Sequence, residues 1–231
     1  LKKNKLSSEA FLKKIQDDNF ITQEAAKYPK LLESLAKKES GVKYRLEGYL
    51  FPATYNVTDS TTAETLIDQM LAAMDKTMSR YYDVLATKNL TVHDVLTIAS
   101  LVEKEGSTDQ DRKNIASVFY NRLNQNMPLQ SNIAILYAQG KLGQKTTLSE
   151  DAAIDTNIDS PYNIYKNTGL MSGPVDNPSL SAIEATVNPV KTDYLYFVAN
   201  TETGKVYFAT TYAEHEKNVQ EHVNSKLTKP S

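Results

Sequence analysis

Thr97-Ile98-Ala99-Ser100-Leu101-Val102 gives six consecutive residues with almost no polar face. On a helix such a run leaves no side for water, so this turn is buried nearly all round. Thr91 caps a helix ahead of the run and Gly106 stops it behind, which puts the run inside one helical element. Eight glycines and eight prolines in 231 residues fall well below the average combined share of ~12%. So few chain breakers favour a helix-rich fold over an all-β sandwich. A chain of this length folds as one large domain, or a domain plus a smaller appendage, and buries ~70% of its unfolded surface. Apolar residues at 40% and charged residues at 23% exclude disorder and collagen.

Charge narrows the partners. Twenty-six basic and 28 acidic residues give a net charge of −2, so no strong field draws the chain to nucleic acid or an anionic membrane. The absence of cysteine removes disulfides, thiol nucleophiles and zinc–thiolate sites. No apolar run approaches the ~18 residues that a membrane span needs.

Spacing predicts the rest of the elements. Ser7 or Ser8 caps a helix carrying Phe11, Leu12 and Ile15, and Pro29 opens a second with Leu31, Leu32 and Leu35, stopped by Gly41. Leu46 to Tyr55 is aromatic-rich, contains Pro52 and reads as extended. Thr61-x-x-Glu64 has the capping-box pattern ahead of an apolar stripe of Leu66, Ile67, Met70, Leu71, Met74 and Met78. Asp109 or Asp111 begins a helix with Ile115, Val118, Phe119 and Leu123, and Ser131 to Ala138 is a short helix stopped by Gly140. Thr156 to Pro178 is loop-like. Ser181-x-x-Glu184 caps a helix ending before Pro189. Two aromatic runs, Tyr194–Ala199 and Lys205–Ala209, flank a turn with Gly204 and predict a β-hairpin, followed by a helix from Tyr212 to Leu227. The fold class is therefore α+β, dominated by helices, with a small hairpin near the C-terminus.

Most catalytic templates fail. There is no G-x-G-x-x-G, Walker loop, G-x-S-x-G or H-E-x-x-H. His93 stands alone; His215 and His222 share a helix face without a carboxylate pattern and read as surface or hairpin-packing residues. One carboxylate stands out by its setting. Glu103 follows Ala99 and Ser100 by one turn and extends the interior side of their helix. Glu105 is about 200° around and cannot share that direction. A carboxyl at the edge of an apolar core has its charged form desolvated, which suits a general acid. The bland alternative is an exposed Glu near a helix end, or one paired with Lys104 or Arg112.

Seven separated stretches resemble the endolytic murein transglycosylase (YceG-like) family, in that family's order. They run Leu46–Tyr55, Ile98–Glu105, Ala116–Leu123, Met127–Asn132, Ser160–Tyr165, Gly169–Pro174 and Tyr194–Ala199. The resemblance implies a helix-rich, lysozyme-like catalytic lobe over residues 46–228, with 1–45 as a helical lead-in. It implies that the acid is the first Glu of the A-S-x-x-E-K-E stretch, Glu103. It further implies cleavage of the MurNAc–GlcNAc bond in peptidoglycan strands, leaving 1,6-anhydro-MurNAc ends, with no metal or cofactor. Partners would be the glycan strands and other cell-wall synthesis proteins, and not nucleic acid. The family's single-pass anchor is expected outside this chain, with the catalytic part on the extracytoplasmic side.

Two departures qualify the match. Leu129-Gln130-Ser131-Asn132-Ile133 stands where the family often has L-Q-x-D-P, so an aspartate there is no indispensable second acid in this chain. Gly169-Leu170-Met171-Ser172-Gly173 replaces G-L-P-P-G. A glycosidase ordinarily uses two carboxylates. A lytic transglycosylase uses one, because its nucleophile is the C6 hydroxyl of the muramyl residue being cleaved, and tethering supplies effective molarity. Glu47 is a second acid in a family-like motif, and its Gly-aromatic-Pro setting favours a backbone-fixing role. Gln130, Ser131, Asn132, Tyr162, Asn163 and Tyr165 are candidate cleft residues, since amides and aromatic rings suit sugars. The rival classes are a non-catalytic glycan-binding or scaffold module and a hydrolytic muramidase.

Overall fold

The computed structural model describes residues 6–144, 154–200 and 203–223. Helices α1 (Ser8–Lys14), α2 (Asp18–Lys27) and α3 (Pro29–Leu32) lead to the 46–55 segment, which is turned over 46–49, where Gly48 takes a left-handed φ, rather than extended throughout as expected. Then come α4 (Ala63–Met78), α5 (Tyr82–Lys88), α6 (Val92–Glu105), α7 (Asp109–Asn124) and α8 (Asn132–Ala138). A loop region leads to α9 (Leu180–Val187), a two-stranded antiparallel sheet of β1 (Tyr196–Ala199) and β2 (Val206–Ala209), and α10 (Tyr212–His222). The strands pair Phe197 with Phe208 and Val198 with Tyr207. The expected α+β class is what the chain adopts.

Caps explain the boundaries. Thr91 accepts a hydrogen bond from the Asp94 N–H while Asp94 bonds back to Thr91, and Gly106 ends α6. At α4 the cap is Thr62 with Thr65, one residue later than the Thr61-x-x-Glu64 pattern suggests. Ser179, not Ser181, caps α9; the Ser179 backbone is extended, while Ser181 already lies in the first helical turn. Helices α2 and α5 carry no strong pattern and are additions to the expected elements. Asp17 caps α2 through the Asn19 and Phe20 N–H groups. Thr201 and Glu202 of the expected turn, and residues 224–227 of the expected last helix, lie outside the described residues.

Helix α6 is the axis. Residues Val95 to Val102 are all buried, as the apolar run requires. Val92, Val95, Leu96 and Ala99 enter one apolar cluster with α1–α5, Leu46, Tyr49 and Leu50. Ile98, Leu101 and Val102 enter a second with Ile115, Phe119, Ala134, Tyr137 and Tyr162. Side chains from residues 1–45, such as Ile21 and Leu31, belong to the first cluster together with Ile67 and Leu71. The methionine stripe is core: Met74 and Met78 are fully buried there.

Family-like motifs do their work as clamps. Gly48 has φ +87°, and a Cβ there would sit 2.3 Å from Pro174 Cγ. Its N–H and that of Leu50 donate to Asn177 Oδ1 at 2.8 and 3.2 Å. Ser100 Oγ accepts the Val175 N–H at 3.1 Å. Asn121 donates to the carbonyls of Thr192 and Tyr194, pinning the approach to β1. The 46–50 and 173–179 segments are thereby laid against one another and onto α6.

Candidate active site

Helix α6 sends its last two acidic residues to different neighbours. Glu103 Oε2 accepts the Ser179 N–H at 3.0 Å and the Ser179 hydroxyl at 2.5 Å. Its Oε1 pairs with Arg112 Nη2 at 3.3 Å. Glu103 therefore sits at the N-terminus of α9, where a helix favours negative charge. Both of its oxygens are committed to protein donors. Glu103 makes no bond to the candidate cleft residues of the 130–132 and 162–165 loops, and the pairing with Arg112 weighed as its alternative is present. The reason is that α6 is buried all round, so it has no single interior side for Glu103 to continue.

Glu105 is the residue that meets those loops. Ser131 Oγ donates to Glu105 Oε1 at 2.7 Å, and Ser131 is itself the cap of α8 through the Ile133 N–H. Burial pushes the Glu105 carboxyl up from its ordinary value, and the Ser131 bond pulls it partly back. Its place at the C-terminal end of α6 works in the same direction as burial, because the helix end is negative. Tyr165 lies within electrostatic reach: burial first and then Glu105 push its phenol up to about 12, with Arg122 opposing. The Tyr165 hydroxyl donates to Asn132 Oδ1 at 2.5 Å.

The remaining candidates divide by what they touch. Gln130 is exposed, has φ +56° and accepts from Arg122 through Oε1 at 3.1 Å. A left-handed backbone at a residue with a side chain costs about 1–2 kcal/mol, so the neighbouring bonds hold it in place. Ser131, Asn132, Tyr165 and Gln130 thus form one neighbourhood with Glu105. Asn163 is 1% exposed; its amide bonds the Thr156 and Ile158 carbonyls, and its oxygen accepts the Tyr165 and Lys166 N–H groups. Tyr162 is buried, accepts the Lys43 N–H at 3.1 Å and packs on Tyr137 at 4.9 Å between centroids. These two staple the loop.

Glu47 is a further desolvated acid, as is Glu24 on α2. Burial pushes its carboxyl up; Tyr137 donates to it and opposes that shift, and Asp176 adds to it. Tyr137 is six residues along α8 from Ser131, about 9 Å at helical rise. The histidines are structural: His93 bridges the Tyr49 hydroxyl and the Ser172 carbonyl, while His215 and His222 stack on Tyr196 and Tyr207. A concavity of about 1200 Å³ lies elsewhere, between α1 and α4. Of the three acids lining it, Asp17 and Glu64 are both paired with Lys14, and Glu9 is exposed on the first turn of α1.

Comparison with known proteins decides the family: the YceG-like family pattern matches residues 2–221. The chain belongs to the YceG-like family. Proteins named endolytic murein transglycosylase are similar over 97% of this YceG-like chain, at 68% identity in Streptococcus pneumoniae and 41% in Bacillus subtilis. The chain spans 41% and 61% of the length of those relatives, respectively. The crystal structure of a YceG-like protein from Listeria monocytogenes superposes with a TM-score of 0.80 at 44% identity, covering 92% of this chain and 68% of that one.

Proposed function

We propose that this chain is the catalytic part of a lytic transglycosylase acting on peptidoglycan glycan strands, with Glu105 as its single acid and base. The observation that carries this reading is a desolvated carboxyl at the end of α6, bonded by the Ser131 hydroxyl and within electrostatic reach of Tyr165, which holds Asn132. A raised carboxyl keeps its proton toward neutral pH and can give it to a leaving oxygen. In the reaction, Glu105 protonates the glycosidic oxygen as the bond to the muramyl C1 breaks. The C6 hydroxyl oxygen of the same residue bonds to C1, and its proton returns to Glu105. No water is consumed, and the product end is 1,6-anhydro-MurNAc.

Glu103 is assigned a holding role, because its oxygens bind the N-terminus of α9 and Arg112. The names of the relatives support the substrate class, and a place on the extracytoplasmic side of the membrane follows from where that substrate lies. Among the described residues no helix is long and apolar enough to cross a membrane. One observation favours a second reading, hydrolysis by a muramidase: Glu47 is a second, half-buried acid whose carboxyl burial pushes up. Mass spectrometry of the products from uncrosslinked strands separates the two. Anhydro ends are expected; reducing muramyl ends would move the assignment to a muramidase, and intact strands would leave a glycan-binding module.

A further inference from the structure

The mechanism makes no use of Arg122, yet the fold buries it. Arg122 is 6% exposed, and Glu24 is the other charged side chain buried to this degree among the described residues. No carboxylate pairs with it there. Its Nε donates to the Leu195 carbonyl at 2.6 Å, and Nη1 faces the carbonyls of Pro128 and Leu129 at 3.0 Å each and Gln130 Oε1 at 3.1 Å. The Tyr196 ring lies 5.1 Å from its Cζ. All of these partners are neutral, so the positive charge is hydrogen-bonded but not compensated. A buried charge without a counter-ion is expensive to keep. The remaining amino group, Nη2, makes no hydrogen bond to the described residues and is not sealed from solvent.

The Arg122 side chain reaches the neighbourhood of the proposed acid through Gln130. Arg122 holds Gln130, and the next residue, Ser131, bonds Glu105. Tyr165 feels the charge of both Arg122 and Glu105. An anion arriving at Nη2 would meet two unused N–H donors and an uncompensated charge in a partly desolvated setting, where charge-assisted bonds are strongest.

We propose that Arg122 Nη2 binds a carboxylate carried by the substrate beside the bond whose oxygen Glu105 protonates. The inference rests on the transglycosylase reading for its ligand. On a glycan strand the carboxylate has two sources: the free lactyl group of a muramyl residue without peptide, or the peptide that replaces it. One charge-assisted bond corresponds to about 10- to 100-fold in affinity.

Calorimetry on the Glu105→Gln protein with three uncrosslinked strand preparations tests this. The first carries free lactyl carboxylates, the second has them converted to methylamides, and the third carries the peptide. Either or both carboxylate-bearing strands should bind about 10- to 100-fold more tightly than the methylamide, and which of them does so names the source. Arg122→Lys should keep part of the preference and Arg122→Met should erase it, with circular dichroism confirming the fold. The ligand comparison on unaltered Arg122 stands even if Arg122→Met unfolds. Equal binding of all three strands overturns this inference alone. Binding of none overturns it together with the glycan reading.

Discussion

Exchanging each acidic residue at the end of α6 for glutamine separates chemistry from support. Glu105→Gln keeps size and can still accept from Ser131, but it cannot donate and retrieve a proton. Acid–base assistance is worth about 10²–10⁴-fold, so turnover of strands should fall by at least the lower figure. The melting temperature should hold or rise slightly, because a desolvated carboxyl has been replaced by a neutral amide. Glu103→Gln removes the charge that faces Arg112 and the N-terminus of α9, at side chains only 21% and 17% exposed. Hydrogen bonds to charged groups are worth about 1.5–3 kcal/mol, and in a domain of this size each 1 kcal/mol moves the melting temperature by about 2–4 °C. A fall of roughly 3–12 °C with much of the activity retained at low temperature is expected. The assay pairs anhydro-muropeptide release, followed by mass spectrometry, with thermal melts of both variants. The assignment of Glu105 is refuted if Glu105→Gln cleaves normally, or if Glu103→Gln is inactive while melting like the parent.

Three further outcomes follow from the geometry. Ser131→Ala removes the donor that holds the Glu105 carboxyl down, so the basic limb of the pH–rate profile should move to higher pH, and loss of the α8 cap should cost about 1 kcal/mol in denaturant melts. The Glu47 and Glu105 carboxyls are both raised by burial above the ordinary 4.5. The stability linked to them is complete below that value and is lost as pH rises through the raised ones. Urea melts across this range should show the decline, flattened in Glu47→Gln and in Glu105→Gln. Gly48→Ala must adopt φ +87° with its Cβ 2.3 Å from Pro174, so its melting temperature should drop by more than the roughly 1–2 kcal/mol of backbone strain alone implies.

Much of the fold was legible because its signals are local. Thr91 and Gly106 bracket α6, the aromatic runs around Gly204 make the hairpin, and the methionine spacing marks the buried face of α4. Helices α2 and α5 were not legible, since their helical state owes more to packing in the first cluster than to any patterned stripe. The proposed site was legible to within one helical step. The stretch around Glu103, Lys104 and Glu105 was found, but choosing between the two acids needed the positions of α8 and α9, which lie 26 and 76 residues on from the side chains they meet. Rotation about a helix gives a direction; it does not say what occupies that direction. Of the six proposed cleft residues, Tyr162 and Asn163 turned out to be loop staples, because a side chain able to bond a sugar is equally able to bond backbone.

The sharing of α6 between two apolar clusters bears on how the molecule comes apart. Leu96 and Ile98 sit two residues apart in the same helix, yet one belongs to the α1–α5 cluster and the other to the cluster of α7 and α8, with α9 contributing to both. Neither half can melt without baring a face of the strip that the other half needs. The two clusters therefore behave as one cooperative unit, and the slowest-exchanging amides should be those of α6. The proposed acid rides on the end of that same strip, so its placement is lost only when the whole molecule opens.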